Sequence, residues 1–200
     1  LKDGNAGTCP RPAAVSVSFR WSKNRCGTIK LVSSGGVSIK AGQVYVAPLS
    51  SGGADGLLGC AVDGGERFAM NEVVKEPARV FDLADRIRQY LAHHGVDQIV
   101  LVDVRKRGDW KYSDAYTHVM AVAAVMSAAH QLDVTVHTVT TEKVAKIVDT
   151  KADELKKTDF TRFGHSVRPK YWTAGMGAAF AGAAYGLALR GEISGIAANG

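Results

Sequence analysis

The sequence predicts an α/β domain on a mixed sheet, in which an antiparallel three-strand meander joins parallel strands and helices flank them. Three observations carry that expectation. Strand-like segments fill the first third of the chain. An amphipathic helix follows, with Val80, Leu83, Ala84, Ile87, Tyr90 and Leu91 recurring at helical spacing. Val96 to Val148 then reads strand, loop, helix, strand, helix, and its run Ile99-Val100-Leu101-Val102 has the composition of a strand covered on both faces.

Two hundred residues with 46% hydrophobic content make one domain able to bury a sizeable core. The expected organisation is an extended N-terminal arm over residues 1–12, the domain over 13–190 and a C-terminal tail over 191–200. A net charge of +6 and a pI of about 9.3 favour an anionic partner, with nucleic acid ahead of a membrane. The longest apolar run, Ala174 to Leu189, falls short of the roughly 20 residues that span a bilayer, so no membrane partner is expected. The three cysteines, Cys9, Cys26 and Cys60, lack zinc-site spacing and read as free thiols in a reducing compartment. The chain opens on Leu1, which fits a trimmed chain or a mature form whose targeting peptide is gone, and the expected location is a mitochondrion or other organelle.

In order, Val15, Val17, Phe19 and Trp21 alternate with Ser16, Ser18 and Arg20 as in a half-buried strand. GTIKLVSS and GVSIKAG follow, joined through Gly35 and Gly36, and then VYVAPL. The glycine-rich stretch Ser50–Gly65 lacks the Lys-Ser/Thr and the strand-loop-helix frame of a phosphate loop, and reads as a flexible excursion. Pro77 opens the amphipathic helix and Gly95 closes it. His93 and His94 then suit the negative end of its dipole better than a metal site that would have no third ligand.

After Asp103 the chain reads RKRGDWKY, where Arg105, Lys106, Arg107 and Lys111 surround Trp110 and Tyr112; cations beside aromatics fit phosphate contact with base stacking. Ser113 or Asp114 is placed to cap an alanine-rich helix, with Val119, Ala123, Met126 or Ser127 and His130 along one side. His118 and His130 read as packing or partly exposed residues. VTVHTV is a strand, and Thr140 or Thr141 caps TEKVAKIV, which carries Lys143 and Lys146 on one side. RFGHSVRPKYW is a second basic segment, with Arg168 and Lys170 near Phe163, Tyr171 and Trp172. The final helix is expected from about Thr173, its small residues permitting close backbone approach.

This order of elements resembles the ribonuclease H-like fold, and within it the RuvC-type Holliday-junction resolvases. The likeness runs from Val15 to Leu189 and is best in the central stretch, where VTVHTVTTEKVAKIV is similar to the family's strand and lysine-bearing helix; the last helix, AAFAGAAYGLAL, is similar to a closing D-A-A-D-A-L-A pattern. The resemblance implies carboxylates gathering two divalent metals, one for the nucleophile and one for the leaving oxygen. Carried over by pattern, the first-strand acid in G-I-D falls on Ser18, the strand-end acid on Asp103, and the helix acids on Phe180 and Ala183. Only Asp103 keeps a charge, and one carboxylate does not hold two hard cations. Asp109, Asp114, Asp149 and Asp153 do not lie on the strand end or helix where the family places its ligands.

The sequence therefore leads to a catalytically inactive RuvC/RNase H-like protein that binds nucleic acid, RNA favoured over DNA. It is read as a structural component of a large organellar ribonucleoprotein such as a mitochondrial ribosome, with other protein subunits as partners. Arg105, Lys106, Arg107, Trp110, Lys111, Lys143, Lys146, Arg168 and Lys170 are the expected contacts; Asp103 is vestigial and no cofactor is expected. The rivals are an active nuclease dependent on Mg2+ and a protein-protein scaffold subunit.

Overall fold

The computed structural model describes residues 33–51, 58–103 and 110–191, with Asp103 by its backbone alone. The segments at Leu1–Pro12 and Val15–Trp21, Cys9 and Cys26, the basic residues Arg105, Lys106 and Arg107, and the tail after Gly191 lie outside the described residues. What is described belongs to one compact unit, Leu31–Gly200.

Strands β1 (Ser33–Lys40), β2 (Gln43–Ser50), β3 (Cys60–Ala61), β4 (Glu66–Phe68), β5 (Gln98–Asp103) and β6 (Thr135–Thr140) form a sheet of order β3-β2-β1-β5-β6, with β4 also on β2. β1, β2 and the short pair β3 and β4 are antiparallel, and β1, β5 and β6 are parallel. This is the mixed sheet that the sequence predicts. Helices α1 (Ala78–His93), α2 (Tyr112–Leu132), α3 (Thr141–Ile147) and α4 (Gly177–Leu189) complete it.

Strand side chains alternate between two cores, as the period of two requires. Val37, Ile39, Val44, Val46, Ile99 and Leu101 pack against α1 and α2. Tyr45, Ala47, Leu49, Val100, Val102 and Val139 pack against α3, α4 and Trp172.

The glycine pair Gly35-Gly36 is not a junction between two strands. SSGGVSIK is one continuous strand, and the hairpin turn is Ala41-Gly42, both at positive φ (50° and 71°), the backbone of a tight two-residue turn. Gly36 is small because α4 lies directly on it: an ideal β-carbon there would stand 1.7 Å from the Ala179 carbonyl oxygen. The small residues of α4 thus do what the sequence predicts.

Helix α2 begins at Tyr112 with Lys111 as N-cap, so neither Ser113 nor Asp114 caps it. It buries Ala121, Ala124, Val125, Ala128 and Ala129, and exposes Val119, Ala123, Met126 and His130. The alanines face inward because α2 lies close to its neighbours, which pushes the larger side chains out. α4 starts later than expected, at Gly177, after a π-helical turn over Trp172–Met176. No helix among the described residues is long and apolar enough to cross a membrane.

Candidate nucleic-acid interface

One rung of the sheet organises the site. Arg67 of β4 pairs with Tyr45 of β2, Tyr45 with Ser38 of β1, Ser38 with Val102 of β5, and Val102 with Val139 of β6. It lies near the carboxyl ends of the parallel strands, the edge where open α/β sheets place their ligands. α4 approaches with its N-terminal end toward this edge: Gly186 lies against Ser34 and Gln98, Gly182 against Val102, and Gly175 against Tyr45.

β1 is the central strand, between β2 and β5, and its Gly36-Val37-Ser38 offers the G-I-D pattern a second match beside Ser18, which lies outside the described residues. Ser38 shares the face of Gly36, toward α4, and is 4% exposed. Asp103 lies one residue beyond Val102, its backbone paired with Thr140. Phe180 is fully buried, its ring 5.5 Å from Trp172, 5.6 Å from Phe163 and 4.9 Å from His165. Ala183 packs on Gly36. α4 contains no Asp or Glu.

These residues do not fit a pair of divalent cations. Such ions take several oxygen ligands, preferably charged, and besides Asp103 the positions that would supply them offer a neutral hydroxyl, a phenyl ring and a methyl group. No group of three or more His, Cys, Asp or Glu able to hold a metal occurs among the described residues. Asp114, Asp149 and Asp153 are exposed, on the first turn of α2 and after α3.

The same edge is basic. Lys40 ends β1, Lys111 precedes α2 after β5, and Lys143 and Lys146 lie on α3 directly after β6; all four are exposed. Arg168 and Lys170 are exposed in the segment before the π-helical turn. The aromatics divide differently from the expectation. Trp110 is half-buried, its ring edge-on to His118 at 4.9 Å. Phe163 and Trp172 belong to the core at 0% and 2% exposure, and the Trp172 Nε1 donates to the Thr158 carbonyl at 2.8 Å. Of the aromatics in that segment, Tyr171 is the exposed one, at 44%.

Sequence reasoning missed Arg67. Its guanidinium lies 4.3 Å from the centroid of the Tyr171 ring, and its Nη1 donates to Gln43 Oε1 at 3.0 Å. Below this pair Tyr45 is buried, its ring 6.4 Å from that of Tyr171. Burial pushes the Tyr45 phenol above its ordinary value, against the pull of Arg67. The only signal was Glu66-Arg67-Phe68, too short to stand out by alternation.

His94 does not simply cap α1. Its Nε2 lies 3.1 Å from Asp63 Oδ2, and Asp63 also accepts from the Tyr90 hydroxyl and the Gly65 amide, each at 2.8 Å. Cys60 is an exposed free thiol.

No family model matches the chain, and no curated protein matches it. Among solved structures it is similar to Thermus thermophilus RuvC, with 16% identity and a TM-score of 0.61 over 80% of this chain and 98% of that one. It is also similar to T. thermophilus RuvC in complex with Holliday junction substrate, with 17% identity and a TM-score of 0.64 over the same shares. The likeness shows the fold alone: the chain has a RuvC-like, ribonuclease H-like fold.

Proposed function

We propose that this protein is a catalytically inactive RuvC-like nucleic-acid-binding protein, serving as an RNA-binding structural component of a large organellar ribonucleoprotein such as a mitochondrial ribosome. The observation that carries this reading is a juxtaposition at one sheet edge. Exposed Lys40, Lys111, Lys143 and Lys146 follow the carboxyl ends of the parallel strands, while Ser38, Phe180 and Ala183 fill the acid positions with buried core. Cations on a polyanion release counterions, so the surface binds without any metal chemistry. A structural neighbour in complex with Holliday junction substrate supports the nucleic-acid class.

The test is charge reversal of Lys111, Lys143 and Lys146 together. Affinity for a structured RNA falls, and the slope of log affinity against log salt shrinks by about 2 to 3 for three lost phosphate contacts. Unchanged affinity and slope remove this edge as the binding surface. Competition between RNA and DNA of one sequence tests the RNA preference, and fractionation of organelles tests the location. The nuclease rival predicts Mg2+- or Mn2+-dependent cutting of branched DNA that disappears in Asp103→Asn.

Protein subunits are assigned to a different face. The outward side of α2 exposes Tyr112 (86%), Tyr116 (40%), Val119 (62%) and Met126 (39%), and no Lys or Arg occurs within the helix. In a chain of net charge +6 that face suits an apolar surface of another subunit. The scaffold rival requires a neutral surface over α3, where Lys143 and Lys146 are exposed.

A further inference from the structure

The segment Arg168-Pro169-Lys170-Tyr171 makes a sharp entry into the π-helical turn. Tyr171 takes the left-handed conformation, φ 59° and ψ 18°, which is unfavourable for a bulky L-residue. Its surroundings impose it. The next side chain, Trp172, is anchored inside the core, and the Tyr171 carbonyl accepts the amides of Ala174, Gly175 and Met176 at 3.0 to 3.2 Å. With the backbone held and Trp172 directed inward, the Tyr171 ring is directed outward.

Arg67 then fixes the ring. Its guanidinium covers one face, and its own position is set by the pairing of β4 with β2 and by Gln43 Oε1. An exposed aromatic ordered before binding loses little entropy when a ligand stacks on it. Arg67 keeps N–H groups beyond the one given to Gln43, and two further exposed cations lie close in the chain, Lys170 next to Tyr171 and Arg168 three residues before it. The opposing charge on this strand is the exposed Glu66, whose Oε1 accepts the Arg67 amide.

We infer that Tyr171, held by Arg67, is a stacking subsite for one unpaired base, with Arg67 and Lys170 on the adjoining phosphate. This rests on the nucleic-acid reading above and deepens it by giving the edge a preference for single-stranded or looped segments over plain duplex. Base-aromatic stacking tolerates any sequence.

The experiment uses the full chain, a short single-stranded RNA carrying 2-aminopurine, and the blunt duplex made from the same strand. The single strand binds more tightly than the duplex, and its 2-aminopurine fluorescence is quenched on binding. Tyr171→Ala weakens single-strand binding roughly tenfold, the size of one lost stack, abolishes the quench and leaves duplex binding unchanged. Tyr171→Trp retains both, which separates lost stacking from misfolding. If Tyr171→Ala binds the single strand like the parent while Lys170→Glu weakens both RNAs, the stacking subsite is overturned and the nucleic-acid reading stands. Equal weakening of both RNAs by Tyr171→Ala also overturns it. If the parent chain binds neither RNA, both inferences fall.

Discussion

Gly36 of β1 and Ala179 of α4 meet backbone to backbone: an ideal β-carbon on Gly36 would lie 1.7 Å from the Ala179 carbonyl oxygen and 2.4 Å from the Ala183 amide nitrogen. Neither atom can turn aside as a flexible side chain would, so Gly36→Ala must lift α4 off the sheet. The expected loss is about 3 kcal/mol or more in urea unfolding, at the upper end for overpacking. Gly95→Ala is the control. That position has φ 61° and no atom near its β-carbon, so it carries only left-handed strain, about 1 kcal/mol. Equal losses would remove close packing as the reason for Gly36.

The helices and the parallel strands were legible because hydrophobic period reports burial, and burial is what the sheet faces impose. Gly35-Gly36 was misread because glycine marks both turns and close approach, and only the position of α4 distinguishes them. The first-strand acid was carried to Ser18 because Val15 to Trp21 alternates as a strand does, a segment outside the described residues. Phe180 and Ala183 were legible as uncharged whatever the register, since α4 has no acid anywhere. The Arg67–Tyr171 pair was invisible because its partners are remote in sequence and meet only once the chain has folded. Phe163 and Trp172 looked like interface aromatics by composition, yet their rings complete the core beneath α4.

Asp63 ties the β3–β4 turn to the end of α1, accepting from Gly65 N and the Tyr90 hydroxyl, with His94 Nε2 3.1 Å from its Oδ2. Burial, and then the hydrogen bond to Asp63, hold the Tyr90 phenol well above its ordinary value, so it remains a donor throughout the usable pH range. Asp63→Ala leaves that hydroxyl without its acceptor, and the expected loss is about 1–3 kcal/mol. Asp63→Asn keeps one acceptor and loses less. If chemical denaturation shows the two variants equal to the parent, this network does not hold the turn.

His165 gives stability a pH dependence. Burial beside Phe180 and Trp172 pushes its imidazole below the ordinary 6.5, against the pull of Asp63. Between that depressed value and 6.5 the unfolded chain binds a proton that the folded chain does not, so stability is fully present above 6.5 and falls as pH drops through it. The melting temperature therefore decreases from about pH 7.5 to about pH 5.5. His165→Phe makes the slope shallower, and an unchanged slope assigns the effect elsewhere.

Ser38→Asp asks whether the metal chemistry implied by the fold can be restored from one side. The side chain at this position is 4% exposed, faces α4 and lies in register between Tyr45 and Val102. A carboxylate there is desolvated among the buried residues of the sheet and α4, and a loss of about 3–5 kcal/mol is expected, the cost of leaving a buried charge uncompensated. Mg2+ or Mn2+ does not recover it, because Phe180 and Ala183 on α4 present no oxygen ligand and a hard cation would remain under-coordinated. Thermal unfolding with and without millimolar metal reads this directly. A melting temperature that rises with metal in the Ser38→Asp variant and not in the parent, accompanied by cutting of branched DNA, would show that Asp103 still belongs to a working metal site.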